Sequence, residues 1–336
     1  MTVQSVGDQA RAFAMQTASS RIKTTLNTLT AELSSGEVAD LGSRLQGNTQ
    51  VLGGIESRLA LLSQFQRNAT EAATRAQGMQ DALGAMHKVT EGLGQSLYLE
   101  ASPLTSGLLS MRSGQAETDL NTVIGQLNGS AGQRYLFSGT NSDTPPLAPA
   151  NAILDELTTV ISGLTSAQDI AQAVSDWFDA PSGSGGFADI AYHGGAGGQK
   201  TPVGDDTSVA LTTTALSPSI RDSLKGLATA AILDRSALAG DVQGGRELLR
   251  LAGRALLDSG PGLVAEMSHL GYAQQVISTA QAQDGASIAT LQSARNTLRE
   301  ADPFATAAAI TDAETKLQTL YSVIGRLSQL KLANFL

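Results

Sequence analysis

Residues 52–83 read LGGIESRLALLSQFQRNATEAATRAQGMQDAL. Leu52, Ile55, Leu59, Leu62, Gln66, Ala69, Ala73, Ala76, Gln80 and Leu83 recur at alternating steps of three and four. That spacing keeps one stripe of a helix facing a partner. No proline interrupts residues 41–102, so the pattern predicts one long helix with coiled-coil-like packing. Many stripe positions are Ala or Gln. Such a seam allows close helix approach but buries little apolar area, so the helix needs several partners.

The same reading extends in both directions. Upstream, Met15, Ile22, Leu26, Leu29 and Leu33 share one face, Gly36 is a stop, and Asp40 and Ser43 are candidate caps. Downstream, Pro103 marks a break, and a helix is expected over 106–129 with Ala116, Leu120, Val123, Ile124 and Leu127 inward. Near the other end, Ile277, Ala280, Asp284, Ile288, Leu291, Ala294 and Leu298 align. After Asp302-Pro303, so do Ile310, Ala313, Leu317, Leu320, Ile324, Leu327 and Lys331. Gly260-Pro261-Gly262 reads as a further break.

Between these helical ends the texture changes. Six of the nine prolines lie within residues 145–245. Short helices are expected over 153–164 and 170–178, and short strands at 189–192 and 208–212. Gly132–Thr140 contains a strand-like core leading into a turn-rich exit at Asn141–Pro146. The adjacent Trp177-Phe178 pair is the expected aromatic anchor of this insert. The fold class expected is mainly α: a long antiparallel coiled-coil-like bundle formed by the N- and C-terminal regions, with a small mixed α/β insert. The corresponding division is 1–144, 145–245 and 246–336.

Composition removes most functional classes. In 336 residues, 22 Lys and Arg stand against 31 Asp and Glu, a formal charge of -9, which argues against a nucleic-acid backbone as partner. Cysteine is absent, so there is no disulfide framework, thiolate metal site or cysteine nucleophile. No apolar run approaches the roughly 18 residues of a membrane span, so no membrane insertion is expected. The N-terminal residues lack the apolar core of a cleaved secretory signal.

Catalytic motifs fail on context. His87, His193 and His269 have no second ligand at metal-binding spacing. His193-Gly194-Gly195-Ala196-Gly197-Gly198 has the look of an oxyanion loop, but no GxSxG nucleophile elbow accompanies it. Gly198-Gln199-Lys200-Thr201 approaches a phosphate loop but lacks the adjacent Gly-Lys. Asp205-Asp206 reads as solvated turn charge. The expectation is no enzyme, no cofactor and no metal, and in their place surface for assembly with copies or relatives of the chain.

Helical termini around a variable insert resemble the flagellin superfamily. The segment Gly132-Gln133-Arg134-Tyr135-Leu136-Phe137-Ser138-Gly139-Thr140-Asn141-Ser142-Asp143-Thr144-Pro145-Pro146 is similar to that of the hook-associated protein 3 family within it. The family pattern is close to G-x-R-Y-[IL]-F-[AS]-G-T-x-T-D-T-P-P, with Arg134, Tyr135, Phe137, Gly139, Thr140, Asp143 and Pro145 matching and Ser142 departing from Thr. Residues 301–304 and the Leu-rich ending at 320–336 also resemble the family.

The resemblance implies a structural part of the bacterial flagellum at the hook–filament junction. It would be exported by the flagellar type III route without a cleaved signal, with an export chaperone. Its partners would be copies of itself in a ring, the first hook-associated protein and flagellin. Ile22, Leu26, Leu29 and Leu33, with Ile310, Leu317, Leu320, Ile324 and Leu327, would form the assembly interface. The alternative is a minor flagellin that forms filament itself.

Overall fold

The computed structural model describes residues 3–99, 105–198 and 200–333. The expected break at Pro103 and the closing residues 334–336 lie outside them, as does the side chain of Lys331. The described chain is mainly helical: α1 (Val3–Ser35), α2 (Leu41–Arg44), α3 (Gln50–Tyr98), α4 (Ser106–Leu127), α5 (Ala150–Val160), α6 (Ala167–Asp179), α7 (Phe187–Ile190), α8 (Pro218–Ala231), α9 (Val242–Arg299) and α10 (Pro303–Ala333). Two strand pairs interrupt them. β1 (Ser130–Ala131) pairs antiparallel with β2 (Arg134–Tyr135), and β3 (Lys200–Pro202) with β4 (Ser208–Ala210), Thr201 opposite Val209.

The chain forms two compact units, residues 1–62 with 286–336, and residues 63–285. In the first, α1 packs on α10. Gly36, at φ +73°, ends α1 in the left-handed conformation that glycine adopts freely. Its carbonyl accepts from the Ala301 N–H at 2.9 Å, and Val38 N–H donates to the Arg299 carbonyl at 2.8 Å. Further along, Lys23 Nζ stands 5.9 Å from the Tyr321 ring centroid. Falling numbers on α1 thus meet rising numbers on α10, so the two helices run antiparallel, as the terminal repeats imply. Asp302 accepts from the N–H groups of Phe304 and Ala305, and Pro303 opens α10 where no N–H is needed.

In the second unit, the α3 and α9 portions are also antiparallel. Gln77 meets Gln274, Thr70 meets Gln281, and Gly94 meets Gly253. A Cβ on Gly253 would lie 2.8 Å from Tyr98 N and 3.0 Å from the Gly94 carbonyl, so only glycine permits this approach. The core joins Met79, Leu83 and Met86 of α3, Leu109, Leu120 and Leu127 of α4, Ile153 and Leu154 of α5, and Leu224 and Leu227 of α8. Trp177, Phe178 and Phe187 stack within it, with centroids 4.9–6.0 Å apart. The aromatic pair expected to anchor the insert is buried, joined by a third ring.

Two local expectations are overturned. Gly260-Pro261-Gly262 does not break the chain, because α9 runs through it from Val242 to Arg299. Pro261 costs about 3 kcal/mol by freeing the Leu257 carbonyl. Buried Leu256 and Leu263 on either side offset that, each contributing about 1.5–3 kcal/mol. Ser223 Oγ donates to Ser259 Oγ at 2.9 Å across the same buried contact. Residues 189–192 are not a strand. Phe187–Ile190 forms one helical turn because Phe187 is drawn into the aromatic cluster. Asp189 reinforces it by accepting from the N–H groups of Gly183 and Gly185 at 2.8 Å. Only Tyr192 makes an isolated bridge, to Leu147.

Candidate functional site

The terminal helices present an unfinished seam. Ile22, Leu26 and Leu29 of α1 and Ile310, Leu317, Leu320, Ile324 and Leu327 of α10 are all half-buried, and Leu33 is 43% exposed. No residue of α1 with a described side chain is fully buried. A groove of about 670 Å³ lies between the two helices, lined by Met15, Ser19 and Lys23 on one side and Tyr321, Ile324 and Leu327 on the other. Hydrogen bonds from Lys23 and Ser19 hold the Tyr321 phenol below its ordinary pKa. Aromatic side chains sit outside any core: Phe13 is 72% exposed and Phe304 87%. Helices with so little burial gain their remaining stability from further packing.

The segment 132–146 is built differently. Arg134 and Asp143 are exposed and Tyr135 half-buried, while Leu136, Phe137 and Ser138 are buried. Tyr135 N–H donates to the Ser142 carbonyl at 2.7 Å, and Ser138 Oγ to the Thr144 carbonyl at 2.6 Å, closing a tight loop. Gly139 (φ +60°), Thr140 and Pro145 sit on its surface.

The glycine-rich loop after His193 clasps this loop. Gly195 N–H donates to the Ser138 carbonyl at 2.8 Å, and Tyr192 Oη donates to the Gly195 carbonyl at 2.8 Å. Burial keeps the Tyr192 phenol above its ordinary pKa and therefore a donor. A Cβ on Gly139 would collide with the Gly195 carbonyl, and one on Gly195 with Thr140 Oγ1. Gly194, Gly195 and Gly198 thus serve close packing. Their density was the sequence signal, but the partner lies more than fifty residues away.

The remaining chemistry is dispersed. His193 and His269 are exposed, and His87 Nε2 lies 3.8 Å from Glu91. Among the described residues no group of three His, Cys, Asp or Glu is placed to hold a metal ion. Asp205 and Asp206 are exposed in the turn between β3 and β4. Gln199 lies outside the described residues. Among the described residues no helix is long and apolar enough to cross a membrane.

A mainly helical protein with an unfinished seam between its terminal helices is the class that these features define. Residues 6–142 match the family model for the bacterial flagellin N-terminal helical region. No curated protein matches the chain. Among solved structures, the fold is similar to a Vibrio parahaemolyticus protein provisionally described as a flagellar hook-associated protein. The two share 13% identity with a TM-score of 0.54, over 75% of this chain and 99% of that one. The match makes the N-terminal part of the chain flagellin-like in sequence, and the solved structure is similar in fold.

Proposed function

We propose that this chain is the hook–filament junction protein, linking the first hook-associated protein to flagellin as a ring of identical copies outside the cell. The Arg134–Pro146 loop carries the choice of junction over filament, since it resembles the hook-associated protein 3 family at every patterned position but Ser142. The solved structure of similar fold bears a hook-associated description, which supports the same reading. The half-buried seam of α1 and α10 supports assembly: Ile22, Leu26, Leu29, Leu33, Ile310, Leu317, Leu320, Ile324 and Leu327 would be completed by neighbouring subunits. Residues 145–245 would be the part that distinguishes this subunit from flagellin. Export would use the flagellar type III route with a chaperone.

Deleting the gene and imaging the cell surface by electron microscopy tests the reading. Bare hooks with flagellin shed into the medium are expected. Filaments of normal or shortened length would instead identify a minor flagellin.

A further inference from the structure

Arg75 of α3, Arg134 of β2 and Lys200 of β3 come together around a surface recess of about 210 Å³, floored by Ala72 and Pro202. The fold assembles this cluster, since the three cations lie far apart in sequence. Among the described residues no carboxylate forms an ion pair with any of them; Glu71, also on the rim, acts on Arg75 through its charge. Arg75 is half-buried and its shielded Nε has no hydrogen-bond partner. Burial, and then the charge of Arg134, push its guanidinium below the ordinary value. Asn68 is committed elsewhere, donating to the Pro202 carbonyl at 2.9 Å.

Three unpaired cations are unusual here. Residues 63–285 carry twelve Lys and Arg against twenty-two Asp and Glu, so the recess is a basic spot on an acidic body. At about 30 Å³ per water it holds roughly seven waters, enough for one carboxylate head and too small for a helix. Two guanidinium groups and an ammonium are the donors that carboxylates bind best.

We infer that Arg75, Arg134 and Lys200 form a carboxylate-binding recess that receives an exposed Asp or Glu of a second copy of this chain. Charge complementarity selects that occupant: each copy offers exposed acids such as Asp143, Asp169 and Asp206 on the same unit. Contact between a patch and a different patch on the next copy is the head-to-tail type, which builds rings where the rotation closes and open helical arrays where it does not. The inference rests on the proposed assembly of identical copies.

The test uses the full chain in flagellated cells. Reversing both exposed cations, Arg134→Glu with Lys200→Glu, is expected to cut incorporation into the flagellum by at least about tenfold, as loss of an interfacial charge pair does. Arg134→Lys with Lys200→Arg keeps incorporation. A photo-crosslinking residue at Thr201, which lines the recess, is expected to trap a covalent dimer of this chain. Native incorporation by the reversed variant, with an unchanged melting temperature, overturns the inference. So does a crosslink to any other protein. Failure of the proposed function looks different, because the native chain itself would then be missing from the hook–filament junction.

Discussion

Two antiparallel helix pairs share one sequence pattern and end in different states. Around α3 and α9, in residues 63–285, Ala69, Ala72, Ile277 and Ala280 are buried, at most 4% exposed. Around α1 and α10, most residues at equivalent steps remain half-buried, with Ala313 buried and Leu33 exposed. The difference is a cover. Val203 and Val209 of the β3–β4 hairpin close the small-residue seam of the first pair, while the described residues of the unit that holds the second include no strand pair. A three-four repeat therefore sets which face is apolar, and a third layer decides whether that face is finished inside the chain or left half-exposed.

The largest effect expected from attacking this contrast is on assembly. Leu320→Asp should abolish incorporation into the flagellum, since a charge in a completed seam costs several kcal/mol. The free chain should lose less than about 1 kcal/mol, because Leu320 is half-exposed there already. Motility assays with thermal melts of the purified chain check both halves. Normal motility would break the comparison.

Phe178→Ala should do the reverse within the closed unit. Phe178 is fully buried between Trp177 and Phe187, so about 3–5 kcal/mol is expected, a fall of roughly 10 °C in melting temperature. Calorimetry would register it in the transition of residues 63–285.

Val209→Ala sharpens the role of the cover. Removing two methyl groups over the α3–α9 seam should cost about 1–2 kcal/mol. Hydrogen exchange should rise at Ala69, Ala72, Ile277 and Ala280, moving that pair toward the low protection expected of α1. Unchanged exchange there would mean that the hairpin does not close the seam.

The smallest effect concerns a turn. Backbone N–H bonds from Gly183 and Gly185 hold the Asp189 carboxyl below its ordinary pKa. A depressed folded pKa contributes stability above the unfolded value of about 3.9 and loses it as pH falls through the folded value. Asp189→Asn should therefore lower the melting temperature slightly at pH 6, and the gap from the native chain should shrink toward pH 3. A gap that does not narrow would assign the effect to shape and not to charge.

Most helices were legible because their signals are local. Gly36 as a stop, Asp302-Pro303 as a start and the three-four stripes act within one or two turns of their own residues. The loop at 132–146 was legible as a resemblance, yet its clasp was not. That clasp depends on Gly139 meeting Gly195, a contact that no local pattern encodes. Pro261 misled for the same reason. Its penalty is local, while the contacts that offset it, Ser223 with Ser259 and Leu256 in the core, come from elsewhere in the chain. Residues 189–192 read as a short strand beside the glycine-rich stretch, but burial of Phe187 outweighed that reading.

The sequence by itself determined the helical class, the apolar faces, the acidic balance and the absence of a catalytic motif, since each follows from composition or short-range spacing. Only the tertiary structure decided which seam is closed, what the glycine loop holds, and that Arg75, Arg134 and Lys200 share one recess. Those outcomes depend on segments tens to hundreds of residues apart meeting, and sequence periodicity carries no record of such meetings.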